Sequence, residues 1–82
     1  MKTVVFLPAA AKALRKHRSE APRIVAKITA YAEEPSSVAN NVKALAGSSA
    51  FRLRVGDFRI VFEDTEDEII VTKIGPRGSI YE

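Results

Sequence analysis

The chain of 82 residues has no cysteine. That excludes a disulfide framework and any thiolate metal site, and it fits a reducing cytoplasm. A single histidine, His17, leaves a histidine–carboxylate metal site short of ligands, and nothing supports Ser-His-Asp catalysis. No run approaches the ~18 apolar residues of a membrane span, so no membrane partner is expected. The N-terminal MKTVVFLPAAAKAL is broken at Pro8 and charged again at Lys12, an apolar stretch too short for a signal peptide. There is no internal repeat and no low-complexity tract. These absences leave one cytoplasmic domain spanning residues 1–82, with no cofactor and no metal expected. At 46% hydrophobic, the chain can fill one core. Domains this small bury only about 60% of the surface their unfolded chains expose, so they gain from a partner or ligand.

Charge is unevenly spread. The net charge is +3. Residues 1–50 carry eight Lys/Arg against three acids, and residues 51–82 five against seven. Five of those seven acids lie between Glu63 and Glu68, so the rest of the C-terminal part is basic too. A basic excess of this kind points toward nucleic acid.

Thr3–Leu7 (TVVFL) is β-branched and aromatic and reads as a short buried strand. Pro8 ends it and opens a helix at its first turn. Ala9–Arg18 is made of strong helix formers, with Ala10, Ala13, Leu14 and His17 on one face. Ser19-Glu20-Ala21-Pro22 supplies a break, a cap and a second helix-opening proline. Pro22–Glu33 follows, with Ile24, Val25, Ile28, Tyr31 and Ala32 on one stripe. So short a connection predicts antiparallel helices. Glu34–Ser37 breaks the second helix, Asn41–Leu45 reads as a short turn of helix, and Gly47-Ser48-Ser49 as a loop. Beyond it the period changes to two. Phe51–Val55 and Phe58–Phe62 alternate around Gly56-Asp57, a Gly-X pair that suits a type II′ turn. Asp64–Asp67 reads as a second turn and Ile69–Ile74 as a third strand ended by Gly75-Pro76. The order β-α-α-β-β-β predicts an α+β domain, with an N-terminal helix pair packed on one face of an antiparallel-dominated sheet.

The hairpin register follows from its turn. Val55 faces Phe58, Arg54 faces Arg59, Leu53 faces Ile60 and Phe51 faces Phe62. Alternation then puts Phe51, Leu53, Val55, Phe58, Ile60 and Phe62 against the helices, and Arg52, Arg54, Arg59 and Val61 on the other face. With a four-residue Asp64–Asp67 loop, Arg59 also faces Thr72. Directly opposed like charges cost stability, and no acid alternates between these arginines. A planar guanidinium fork fits phosphate, and grouped cations stabilise charge building on a phosphoryl oxygen. The face therefore reads as an RNA phosphate site. Arg77 and Tyr81, beyond the Gly-Pro turn, are placed to return toward it. Glu63, Asp64, Glu66, Asp67 and Glu68 lack calcium-loop spacing and read as a solvated turn that keeps RNA from that end. His17 reads as a half-buried helix-end histidine.

Leu45-x-Gly47, then Phe51-Arg52-Leu53-Arg54-Val55-Gly56-Asp57-Phe58-Arg59-Ile60-Val61-Phe62, then Ile74-Gly75-Pro76-Arg77 and Tyr81, resembles the RelE/ParE superfamily of bacterial toxins. The resemblance covers nearly the whole chain and implies a toxin of a type II toxin–antitoxin module. In the RelE-like branch such toxins are ribosome-dependent, metal-independent mRNA endoribonucleases that inhibit translation. In the ParE-like branch they poison DNA gyrase. A catalytically decayed toxin would act only as the antitoxin's partner in a DNA-binding repressor complex. The resemblance implies a cognate antitoxin, the ribosome and mRNA as partners, with operator DNA met only through the antitoxin.

By position, Arg52, Arg54 and Arg59 correspond to the basic hairpin residues of RelE-like nucleases, Arg77 to the arginine after the last long strand, and Tyr81 to the C-terminal tyrosine. In such enzymes the ribose 2′-OH attacks the adjacent phosphate. Arg54, Arg59, Arg77 and Tyr81 are then the catalytic set: Arg59 and Arg77 hold the phosphate, Arg77 also helps protonate the leaving oxygen, and Tyr81 orients the nucleotide. One departure stands out. The best-known relatives carry lysines on the first hairpin strand, where this chain has arginines. A guanidinium stays protonated, so Arg54 is a poor general base, and Tyr81 and His17 are the neutral candidates. The sequence also stops one residue past Tyr81, short of the C-terminal helix of some relatives.

Overall fold

A computed structural model describes residues 1–76; Arg77 and Tyr81 lie outside the described residues. In chain order the elements are β1 (Thr3–Phe6), α1 (Pro8–Lys16), α2 (Ala21–Glu33), a 3-10 segment (Pro35–Asn41), β2 (Val42–Ala44), β3 (Ala50–Val55), β4 (Phe58–Asp64) and β5 (Glu68–Pro76). The five strands form one sheet in the order β1-β5-β4-β3-β2. β1 runs parallel to β5, and every other pair is antiparallel. This is the α+β architecture that the alternation and helix patterns predict, with β2 added at an edge.

Each α-helix carries a proline in its first turn, where the absent N–H removes one unsatisfied donor. Ser19 does not cap α2. The cap residue is Glu20, which makes no side-chain cap bond and instead pairs through its carboxylate with the Arg23 guanidinium. α1 lies against β5 and β1, and α2 against β1 and β3. Ala10, Ile24, Ile28, Tyr31 and Ala32 from the helices meet Leu53, Val55, Ile60, Phe62, Ile69, Val71 and Ile74 from the sheet in one core. The predicted α2 stripe loses one member: Val25 is 36% exposed. It is adjacent in sequence to Ile24, so about 100° of helical turn carries it off the buried face.

The hairpin register is the one that the two-residue turn dictates, from Phe51↔Phe62 through Leu53↔Ile60 and Arg54↔Arg59 to Val55↔Phe58. Gly56 has φ +58° and Asp57 has no positive φ, the signature of a type II′ turn. A Cβ on Gly56 would also lie 2.8 Å from an Arg23 guanidinium nitrogen, so the turn is tucked against the start of α2.

Three details differ from the sequence reading. First, of Asn41–Leu45 only Asn41 is helical, as the last residue of the 3-10 segment, and Val42–Ala44 is a strand. Val42–Ala44 pairs with Ala44↔Phe51, Lys43↔Arg52 and Val42↔Leu53, which satisfies the otherwise open edge of β3. Second, the β4–β5 turn is tighter than four residues. The Thr65 amide and hydroxyl both donate to the Glu68 carbonyl, and the Glu68 amide donates to the Thr65 hydroxyl. Asp64 therefore pairs with Ile69. A bulge between Val61 and Phe62 then shifts the register again, so Arg59 faces Gly75 and not Thr72. Third, β5 runs through Pro76 instead of ending at Gly75-Pro76. β1 pairs with β5 over Glu68–Val71, far from Pro76.

Candidate functional site

The side of the sheet away from the helices is built by alternation. Across the strands, Lys43 faces Arg52, Arg52 faces Val61, and Val61 faces Lys73. One step along, Arg54 faces Arg59, and Arg59 faces Gly75. Five cations from four strands thus share one face. Val61 lies beneath them, 6% exposed yet outside the main core cluster. Its burial on this side is what long cationic side chains do when their methylene stems cover apolar surface and their heads reach water. Arg52 and Arg59 are half-buried, and Arg54 is exposed.

The face is concave. Asn40, Asn41, Lys43, Arg52, Arg54 and Arg59 line a cleft of about 220 Å³. A second recess of about 130 Å³, lined by Arg54, Gly56, Asp57, Phe58 and Arg59, lies at the hairpin turn. The cleft holds cations and neutral amides only. It suits an anion held from several sides, because each guanidinium offers a fork of donors and none can lose its charge. The Arg54–Arg59 opposition favours anything that brings negative charge between them.

The three hairpin arginines therefore share one cleft. Arg77 and Tyr81, assigned to the same site, lie outside the described residues. His17 is placed elsewhere: its ring meets Phe58 edge to face at 4.9 Å. Phe58 pairs with Val55, a core residue, so His17 lies on the helix side, behind the sheet from the arginine pair. It is not positioned to take a proton in the arginine cleft. The acidic stretch is also less uniform than a solvated turn. Asp64 is half-buried, pairs with the Lys2 ammonium, and accepts a hydrogen bond from the Tyr31 hydroxyl at 2.8 Å.

Four residues escaped the sequence reading. Lys43 was hidden by taking Asn41–Leu45 as helical, and Asn40 and Asn41 lie in the 3-10 segment that precedes β2. Lys73 was hidden by the bulge, since an unbroken four-residue-loop register puts it opposite Phe58 on the core side. A signal for the bulge existed: the core positions of β5 run Ile69, Val71, Ile74, a break in the two-residue period.

A small α+β domain with helices on one face of a five-stranded, mostly antiparallel sheet matches the fold of RelE-like toxins. The archaeal RelE of a RelE–RelB complex from Pyrococcus horikoshii OT3 superposes with a TM-score of 0.77 at 23% identity, covering 96% of this chain and 98% of that one. A chain of the intact E. coli RelBE toxin–antitoxin complex gives 0.75 at 18%, covering 93% and 96%. A chain of the RelB–RelE antitoxin–toxin complex from Methanococcus jannaschii gives 0.62 at 28%, covering 94% of each. No curated protein matches the chain. Residues 4–81 match the family described as ParE toxin of type II toxin-antitoxin system, parDE, and the chain belongs to that family. It is a type II toxin of the RelE/ParE superfamily.

Proposed function

We propose that the protein is a ribosome-dependent, metal-independent mRNA endoribonuclease that inhibits translation in the cytoplasm and is neutralised by a cognate antitoxin. The observation that carries this reading is the cleft in which Arg52, Arg54 and Arg59 converge with Lys43. The 2′-OH attacks the adjacent phosphorus, a 2′,3′-cyclic phosphate forms, and the bond to the 5′-oxygen breaks. Negative charge builds on the phosphoryl oxygens, where Arg54 and Arg59 stabilise it. By the resemblance, Arg77 holds the phosphate with Arg59 and helps protonate the leaving oxygen, and Tyr81 orients the nucleotide. The 2′-OH proton needs an acceptor other than a guanidinium. By the resemblance, Tyr81 is the neutral candidate for that role, since His17 lies on the helix side of the sheet. The antitoxin partner is supported by relatives crystallised with RelB-type antitoxins. Operator DNA would be met only through that antitoxin.

A second reading, a gyrase-inhibiting toxin, is favoured by the family the chain matches, whose description is ParE. The two separate on one experiment. The chain is induced without antitoxin, and 5′ ends of cellular mRNA are mapped for wild type and Arg59→Ala/Arg77→Ala. Cuts inside codons that vanish in the variant support the nuclease. Growth arrest with intact mRNA and broken DNA supports gyrase as target. No toxicity from the wild type rejects both and leaves a decayed toxin that serves only its antitoxin complex.

A further inference from the structure

The donor and acceptor inventory of the cleft is lopsided. Lys43, Arg52, Arg54 and Arg59 offer donors and no acceptor. The side-chain acceptors lining it belong to Asn40 and Asn41. A phosphate needs donors only, and the cations supply them. A nucleobase with an exocyclic amine presents a donor as well, and among the described side chains that line the cleft the asparagine oxygens are the acceptors for it. The backbone that carries the two amides is held in place. Val38, 6% exposed, anchors the 3-10 segment in the core, and Val42–Ala44 locks the following residues to β3 through Lys43↔Arg52. A cleft of about 220 Å³ is below the ~300 Å³ at which whole-ligand pockets begin, so it accommodates a phosphate and one base edge.

We infer that Asn40 and Asn41 read the base next to the bound phosphate and favour adenine over uracil. An asparagine amide matches the adjacent donor and acceptor of adenine, its 6-amino group and a ring nitrogen. Uracil carries no exocyclic amine. The cations set how tightly any strand binds, and the amides set which base lies beside the phosphate. This selection rests on the phosphate-cleft reading of the proposed function, but it does not require that the bound strand be cut.

The test is equilibrium binding of the purified full chain to labelled RNA hexamers at low salt, read by fluorescence anisotropy. Oligoadenylate should bind at least about fivefold more tightly than oligouridylate, the low end of what one bidentate amide–base contact discriminates. Asn40→Ala/Asn41→Ala should bring the two to within about twofold while retaining uridylate binding. Arg52→Ala/Arg54→Ala should weaken both hexamers together. A hexamer of purine riboside, which lacks the 6-amino group, tests the wild-type protein without any substitution and should bind like uridylate. Equal binding of purine riboside and adenylate, or of adenylate and uridylate, overturns the inference. So does failure of the wild type to bind either hexamer. Adenine discrimination in a protein that leaves mRNA intact sinks the nuclease reading and keeps the amide site. Mapped cuts in mRNA with no discrimination in binding do the reverse.

Discussion

Arg54 and Arg59 face each other across the hairpin, two like charges directly opposed. Arg54 is the exposed member and the simpler one to change. Arg54→Gln keeps a polar side chain and removes the repulsion. It should raise Tm by roughly 1–4 °C at low ionic strength, given the size of cross-strand pair effects in a domain of this length. The gain should shrink in high salt, where ions screen the two charges from one another. Binding of RNA should fall in the same variant. An unchanged or lower Tm in low-salt thermal melts would show that the pair is not strained. The arginine pair was fully legible in the sequence, because the turn is two residues long and alternation does the rest. Lys43 and Lys73 were not. The first sits on a three-residue edge strand whose only reason to be extended is its partner, and the second sits past a bulge.

Among the elements, α2, β1 and β4 are tied at one point. Tyr31, on α2 and 8% exposed, donates to Asp64 at the end of β4, and Asp64 also pairs with Lys2 beside β1. Burial, then the hydrogen bond to Asp64 and its negative charge, push the Tyr31 phenol up to about 12 from an ordinary 10.0. The sign follows directly. A phenol harder to ionise in the folded chain than in the unfolded one leaves stability intact below pH 10 and removes it as pH rises toward 12. The loss is of order 2–3 kcal/mol, large beside the 5–15 kcal/mol of a typical domain. Denaturant titrations between pH 9 and 12 should show this decline in wild type and a flatter profile in Tyr31→Phe. Parallel profiles would mean that the Tyr31–Asp64 contact is not what titrates. Sequence placed Tyr31 on the buried stripe correctly. It could not give the partner, because Asp64 lies 33 residues away and reads as part of an acidic turn.

Over the whole molecule, β4 separates two ends of opposite charge. The Gly56-Asp57 turn and the arginine cleft lie at its start, and the acidic β4–β5 turn lies at its end. Seven extended residues put these ends about 20 Å apart at roughly 3.3 Å per residue. The Debye length at physiological salt is about 8 Å, so the acids barely alter the field inside the cleft. They act instead on strand that leaves the cleft and runs along the sheet. Glu66 and Asp67 are exposed at the tip, and Glu66→Lys/Asp67→Lys reverses the charge there without touching the Asp64 network. A dinucleotide seated in the cleft should bind this variant as it binds wild type. A single-stranded RNA long enough to reach the tip should bind several-fold more tightly, with a steeper fall as salt is raised, because each added phosphate contact releases about 0.7 counterion. A dinucleotide that gains as much as the long strand would mean that the bound RNA already reaches the acidic end. The separation of a binding end from a repelling end would then be wrong, while the cleft itself would stand.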